Sequence, residues 1–80
     1  AEPHTLALAL RHHCVQLHLA ARFDEAVQAC REASVEAARS NLAPASRVAI
    51  LVDLGRALQD KNQLAEAEKA YLAAMPLARS

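Results

Sequence analysis

Two cysteines and one histidine are the residues whose types and spacing could bind a metal ion. Cys14 and His18 lie four residues apart, which places both on one face of a helix, and Cys30 could lie nearby on a second helix. These three side chains would supply most of the ligands of a zinc site. We favour a different interpretation, in which Cys14 and Cys30 are free thiols buried as small hydrophobic side chains. A Cys14–Cys30 disulfide is the remaining alternative.

The number of cysteines also bears on the compartment in which the protein works. Two cysteines in 80 residues do not form the disulfide framework of a small secreted domain, so the cytoplasm, a reducing compartment, is the default expectation. The N-terminal sequence AEPHTLALAL lacks the basic region of a secretory signal peptide, which is consistent with that expectation.

No other group of side chains has the spacing of a catalytic or cofactor-binding motif. The four serines have no histidine or aspartate at motif spacing, and adjacent His12 and His13 would point in different directions from a helix. The single glycine excludes a glycine-rich phosphate loop. The sequence therefore predicts a protein that is not an enzyme and that has no metal or cofactor.

The balance of charge excludes two classes of partner. Nine basic and nine acidic residues give a formal net charge of zero, and no basic patch or polybasic stretch stands out. Such a patch is the usual signature of nucleic-acid binding or of attraction to an anionic membrane. We therefore expect neither a nucleic acid nor a membrane as partner.

Hydrophobic residues recur at helical spacing in four segments, and no segment alternates as a β-strand would, so the predicted fold class is all-α. The predicted boundary signals are Pro3 with Thr5 as N-cap, Asp24 as N-cap of the second helix, Asn41 as its end, Pro44 to Asp60 as the third helix, Leu64 as the start of the fourth, and Pro76 as its end or a kink. The predicted inward-facing residues are Leu6, Leu10, His13, Cys14, Leu17 and Ala21; Ala26, Cys30, Ala33 and Ala37; Leu51, Leu54, Gly55 and Leu58; and Leu64, Ala67, Tyr71 and Ala74.

The two halves of the chain form an internal repeat. Members of the hydrophobic series in the second half lie 41 residues after their counterparts in the first half, as Leu51 does after Leu10 and Ala67 after Ala26. The segment AARFDEA in the first half aligns in the same way with KNQLAEA in the second. A fixed period of this length is typical of helical repeat proteins.

The second half resembles the tetratricopeptide repeat (TPR) in a variant with a long, 41-residue period. The residues that match the family pattern at each spacing are Leu51, Leu54, Gly55, Leu58, Ala67, Tyr71 and Ala74. The first half departs from the pattern at His13, Cys14 and Cys30. The resemblance implies two tandem antiparallel helix hairpins in a single domain, with repeat 1 at about 5–41 and repeat 2 at about 44–78.

Gly55 lies among good helix formers, where glycine costs about 0.5–1 kcal/mol relative to alanine. We expect it to mark the closest approach of the third and fourth helices, because Ala67 and Tyr71 lie at the complementary spacing. The alternative is that Gly55 only marks a kink in the third helix.

The resemblance also implies a binding surface for a peptide or amphipathic helix, lined by the first helix of each repeat. The predicted partner-binding residues are Leu8, Arg11, His12, Val15, His18, Leu19, Ala49, Val52, Asp53, Arg56 and Gln59. A chaperone-tail carboxylate is not the expected ligand, because Val15 and Asp53 stand where the family's carboxylate clamp needs asparagine.

The predicted function is thus a protein-interaction module. Two alternatives are a self-association domain that forms a homodimer and a small metal- or redox-responsive domain. Leu8, Val15 and Leu19 are as compatible with packing against a neighbouring repeat, another chain or a missing preceding helix as they are with a partner groove, because a helix with two apolar faces needs a second neighbour.

Overall fold

The computed structural model describes residues 3–79, and within that range it contains four α-helices and no β-strand. The helices are α1 (Pro3–Leu19), α2 (Phe23–Arg39), α3 (Pro44–Asp60) and α4 (Leu64–Ala78). The predicted all-α fold class is confirmed.

The helices pack as two hairpins joined side by side. Short turns connect α1 to α2, which form hairpin 1, and α3 to α4, which form hairpin 2. The two hairpins meet mainly through α2 and α3, while α1 touches α3 only lightly. As a result α2 and α3 each have two close neighbours, whereas α1 and α4 each have one.

The 41-residue repeat holds for the backbone as well as for the sequence. Helices α1 and α3 begin at equivalent prolines, Pro3 and Pro44, and α2 and α4 also begin 41 residues apart. The turns of both hairpins contain a residue in the left-handed region, Ala21 with φ of 60° and Asn62 with φ of 64°. The backbones of the two hairpins therefore follow the same path through their turns.

Both predicted N-caps are wrong. Thr5 lies inside α1, which already begins at Pro3, where the missing N–H of proline costs no hydrogen bond. The N-cap position of α2 is Arg22, with no side-chain cap, and Asp24 lies in the first helical turn. Acidic Asp24 suits the positive end of the helix dipole, and it forms an ion pair with Lys61 of the second turn.

The prediction that Pro76 ends α4 is also wrong, because the helix continues to Ala78. Ala74 is buried just before the proline, and the Arg79 amide donates to the Met75 carbonyl at 3.3 Å, which closes the last turn. Helical backbone is thus maintained on both sides of the proline ring.

The core is thin and rich in alanine. One buried cluster lies around Cys14, Cys30, Leu54 and Leu58, and a second one includes Ala7, Ala33, Ala37, Leu42 and Ile50. Small side chains in both clusters let the helices approach closely, which is how a short chain reaches the packing density of a protein interior.

Most predicted inward-facing residues are buried, and the exceptions lie on α1, on α4, in the first turn and, for Leu51 alone, on α3. Leu6 is 42% exposed, Leu64 is 59% exposed, and His13 and Ala21 are exposed. The remaining exceptions, Leu10, Leu51 and Tyr71, are half-buried. The outer helices have only one close neighbour each, so the buried stripe on them is narrower than the hydrophobic stripe of the sequence.

Candidate functional site

Gly55 leaves room for the ring of Tyr71 where α3 and α4 pack against each other. A Cβ atom built on Gly55 would lie 2.5 Å from Cε1 of Tyr71, far closer than a carbon contact allows. Helix α3 continues through this position, and the Tyr71 hydroxyl donates to Oε1 of Gln59 at 3.1 Å. The predicted close approach at Gly55 is confirmed, with the tyrosine ring as the contacting group.

The equivalent place in hairpin 1 holds a disulfide between Cys14 and Cys30. The two Cα atoms are 5.3 Å apart, and both side chains are buried from solvent. The prediction of two free thiols is therefore wrong. Two small residues face each other at the closest approach of α1 and α2, and the bond between their sulfurs fills the gap.

The disulfide changes two expectations drawn from the sequence. Disulfides are typical of oxidising compartments, so the cysteines no longer support the cytoplasm as the default. The proposed zinc ligands are also not assembled, because His18 pairs with Asp60 of α3 instead. Within residues 3–79 no group of three or more histidine, cysteine, aspartate or glutamate side chains could hold a metal ion.

Polar side chains link α1 to α3 across the face predicted to bind a partner. Nε of Arg11 donates to Oδ2 of Asp53 at 2.9 Å, and His18 contacts the Asp60 carboxylate. Asp53 is the more buried partner, with 16% of its side chain exposed against 41% for Arg11. These two carboxylates are thus already engaged within the chain, and they are less available to an external ligand than the sequence suggested.

A shallow groove lies beside this polar link on α1. Its volume is about 390 Å³, and its lining residues are Leu8, Arg11, His12 and Val15. Leu8 is 46% exposed and Val15 is half-buried, so two apolar side chains line the groove together with the polar Arg11 and His12. All four residues belong to the predicted partner-binding set.

The other predicted partner-binding residues do not share that groove. Leu19 is 75% exposed at the end of α1, Ala49 and Val52 are half-buried, and Arg56 is exposed. Gln59 lies in a different groove, between α3 and α4, where it accepts the hydrogen bond from Tyr71. The structure therefore narrows the candidate site to α1 and the nearby Asp53.

A second exposed hydrophobic surface lies on α4 and was missed in the sequence. Leu64, Leu72 and Met75 are 59%, 54% and 45% exposed. The sequence prediction placed Leu64 in the core and gave no role to Leu72 or Met75. Their spacing of eight and three residues, with Glu68 midway in the longer gap, is helical and could have identified the face.

Comparisons of the chain with protein-family models, with curated proteins and with solved structures found no match. No helix in residues 3–79 has the combined length and hydrophobicity that crossing a bilayer requires. The fold class and the exposed surfaces of the helices are therefore the features from which a function can be inferred.

Proposed function

We propose that this protein is a non-catalytic protein-interaction module, similar to a TPR, that binds an amphipathic helix or peptide of another protein along α1. The observation that supports this proposal is the groove of Leu8, Arg11, His12 and Val15, which is lined by two apolar and two polar side chains. Concave sites with mostly apolar linings and a few polar groups are the usual binding sites of proteins.

The electrostatics of α1 favour a partner that is apolar along its contact face. The positive charge of Arg11 is balanced by Asp53, and His18 is held against Asp60. Little unbalanced charge remains beside the groove, so long-range attraction of a charged partner contributes little. Burial of Leu8 and of the exposed Leu19 would supply most of the binding free energy.

Substitution of the apolar residues of the groove tests the proposal. Val15→Glu and Leu8→Glu would each place a carboxylate in the contact and weaken partner binding, since an unpaired buried charge is strongly unfavourable. Ala38→Glu, at an exposed position of α2, is the matched control. Proteins retained by the unmodified chain and by Ala38→Glu but lost with both groove variants would then be purified and titrated directly.

Two results of these binding measurements would contradict the proposal. Circular dichroism reports whether the variants keep their helices, and Leu8→Glu is the safer variant because Leu8 is the more exposed residue. If folded groove variants bind every partner as well as Ala38→Glu does, the groove is not the binding site. If Val15→Glu unfolds while Leu8→Glu binds normally, Val15 is an ordinary core residue and the proposal is wrong.

A further inference from the structure

The contact between the two hairpins buries one row of residues on α3. The row runs along the side of α3 that faces α2, and it consists of Arg47, Ile50, Leu54, Ala57 and Lys61. Ile50, Leu54 and Ala57 are buried, and Arg47 and Lys61 are half-buried. This row is the part of hairpin 2 that packs against hairpin 1.

The same row in hairpin 1 has no neighbour within the described chain. Subtraction of the 41-residue period gives the equivalent residues, which we call the head face: Leu6, Ala9, His13, Gln16 and Ala20. All five are exposed, whereas their five counterparts on α3 are buried or half-buried. The head face therefore has the backbone geometry of a docking surface but nothing packed on it.

A complementary surface is exposed at the opposite end of the molecule. On α2, Phe23, Val27, Ser34 and Ala37 are all buried or half-buried, and Arg31 reaches across to Glu66 of hairpin 2. Their equivalents on α4, which we call the tail face, are Leu64, Glu68, Leu72, Met75 and Ala78. All five are exposed, and three of them are large hydrophobic residues.

From these two surfaces we infer that a second copy of this chain docks head to tail, with its head face on the tail face of the first copy, in the geometry of the α2–α3 contact. The internal contact between α2 and α3 is the template. The head face repeats the α3 side of that contact, and the tail face repeats its α2 side. The head face shares no residue with the partner groove on α1, although His12 of the groove lies at the margin of the contact, and the inference goes beyond the proposed function.

The polar residues of the two faces are compatible with this arrangement. Inside the chain, Leu54 of α3 and Val27 of α2 belong to the same buried cluster. Their equivalents are His13 on the head face and Glu68 on the tail face, so docking places an imidazole of one copy and a carboxylate of the next in the same contact. Two members of an apolar cluster inside the chain are thus replaced between copies by two polar side chains that can form a hydrogen bond with each other.

The association should be weaker than the packing within the chain. Within residues 3–79, three ion pairs and the contact of His18 with Asp60 link the hairpins, the ion pairs being Arg11–Asp53, Arg31–Glu66 and Lys61–Asp24. Their equivalents between copies are Val52 with His12, Gln59 with Leu19, Leu72 with Glu25, and Ala20 with Ala65, none of which is an ion pair. The exposed leucines and Met75 must then provide the affinity.

A contact between two different surfaces does not close on itself unless the rotation between copies forms a ring. Because the head and tail faces lie at opposite ends of the row of helices, the expected product is an open chain of copies. The average mass should rise continuously with protein concentration and should not stop at a dimer.

Sedimentation equilibrium of two blocked variants tests the inference. Ala9→Glu blocks the head face, and Leu72→Glu blocks the tail face. Each alone should remain monomeric, with self-association weakened by about tenfold or more, because a carboxylate would be buried without a partner. An equimolar mixture should form dimers and nothing larger, since it contains one intact head face and one intact tail face for each pair of molecules.

The controls separate this result from other modes of association and from failure of the partner groove. Leu8→Glu, in the groove, should still form long chains, so loss of partner binding and loss of self-association are measured independently. If either blocked variant dimerises by itself, the contact joins two identical faces and the inference is wrong. A monomeric unmodified chain at millimolar concentration, or a mixture that stays monomeric, would also overturn it.

Both substituted positions are exposed, so the variants should fold. Circular dichroism checks this, and Leu6→Glu and Met75→Glu replace any variant that has lost its helices. These two residues lie on the same head and tail faces, and the same outcomes apply to them.

Discussion

The two hairpins have the same backbone and different contents at the point where their helices come closest. Hairpin 1 places Cys14 and Cys30 there, joined by a disulfide, and hairpin 2 places Gly55 and Tyr71 at the positions 41 residues later. In hairpin 1 two small side chains joined by a bond fill the gap between the helices. In hairpin 2 the ring of Tyr71 fills the equivalent gap, opposite a residue that has no side chain. The comparison teaches that the spacing between the helices is a property of the repeat, while the side chains that satisfy it are exchangeable.

The exchange has one physical consequence. The contact in hairpin 2 depends on packing alone, so it responds to the volume of the side chains at 55 and 71. The contact in hairpin 1 includes a covalent bond that a reductant can break, and the bond restricts the unfolded chain as well as the folded one. The contact in hairpin 1 therefore depends on redox state, whereas the contact between Gly55 and Tyr71 does not.

The largest expected effect comes from removal of the disulfide. It closes a segment with a sequence separation of 16, and the loop-entropy relation gives about 3 kcal/mol for a loop of that size. Reductant, or the double substitution Cys14→Ala with Cys30→Ala, should lower the free energy of unfolding by about that amount. Urea unfolding followed by circular dichroism measures it.

Two control variants test whether the loss of stability comes from the disulfide. Reductant should leave the double alanine variant unchanged. The double substitution Cys14→Gly with Cys30→Tyr converts the contact of hairpin 1 into that of hairpin 2, and it should recover about 1 kcal/mol while remaining insensitive to reductant. An unfolding midpoint that is the same with and without reductant would show that the disulfide does not clamp hairpin 1.

The next largest effect is expected at the other contact. Gly55→Leu should destabilise the protein by about 1–3 kcal/mol, because the new side chain would collide with the ring of Tyr71. The same substitution in a Tyr71→Ala background should cost much less, since the ring is gone. Thermal and urea unfolding of the four proteins in this double-mutant cycle measures the coupling, and additive effects would mean that Gly55 and Tyr71 do not share the gap.

The smallest effect concerns the turns. Ala21 and Asn62 both have positive φ, and asparagine tolerates that conformation better than alanine does. Ala21→Gly should therefore raise the free energy of unfolding by about 0.5–1 kcal/mol, whereas Asn62→Gly should change it little. Equal responses in urea unfolding at the two sites would contradict the idea that only hairpin 1 is strained at its turn.

Part of the candidate site could be predicted from the sequence because it lies on a single helix. Leu8, Arg11, His12 and Val15 follow one another at helical spacing on α1, and they form a common groove in the structure. Gln59 was assigned to the same surface, but it lies against Tyr71 of α4. Spacing along one helix is known from the sequence, whereas the neighbour that a side chain meets on another helix depends on how the helices cross.

Local signals were sufficient for the four helices, their turns and the 41-residue repeat. Hydrophobic periodicity, Pro44 at the start of α3 and the polar turn before Leu64 each depend on residues close together in the sequence, so they can be interpreted without knowledge of the fold. Gly55 belongs with them, because its complement Tyr71 follows it within the same hairpin, at a spacing that the helical pattern of the sequence already shows.

Tertiary structure alone decided the state of the cysteines, the exposure of the outer helices and the links between α1 and α3. The Cys14–Cys30 bond joins two Cα atoms 5.3 Å apart, a distance set by helix packing and not by the sequence separation of 16. Leu6 and Leu64 have the same hydrophobicity as buried leucines but lie on helices with one neighbour. Burial and bonding between helices depend on how two helices pack together. Local sequence signals predict each helix, but they do not predict which residues of two helices meet.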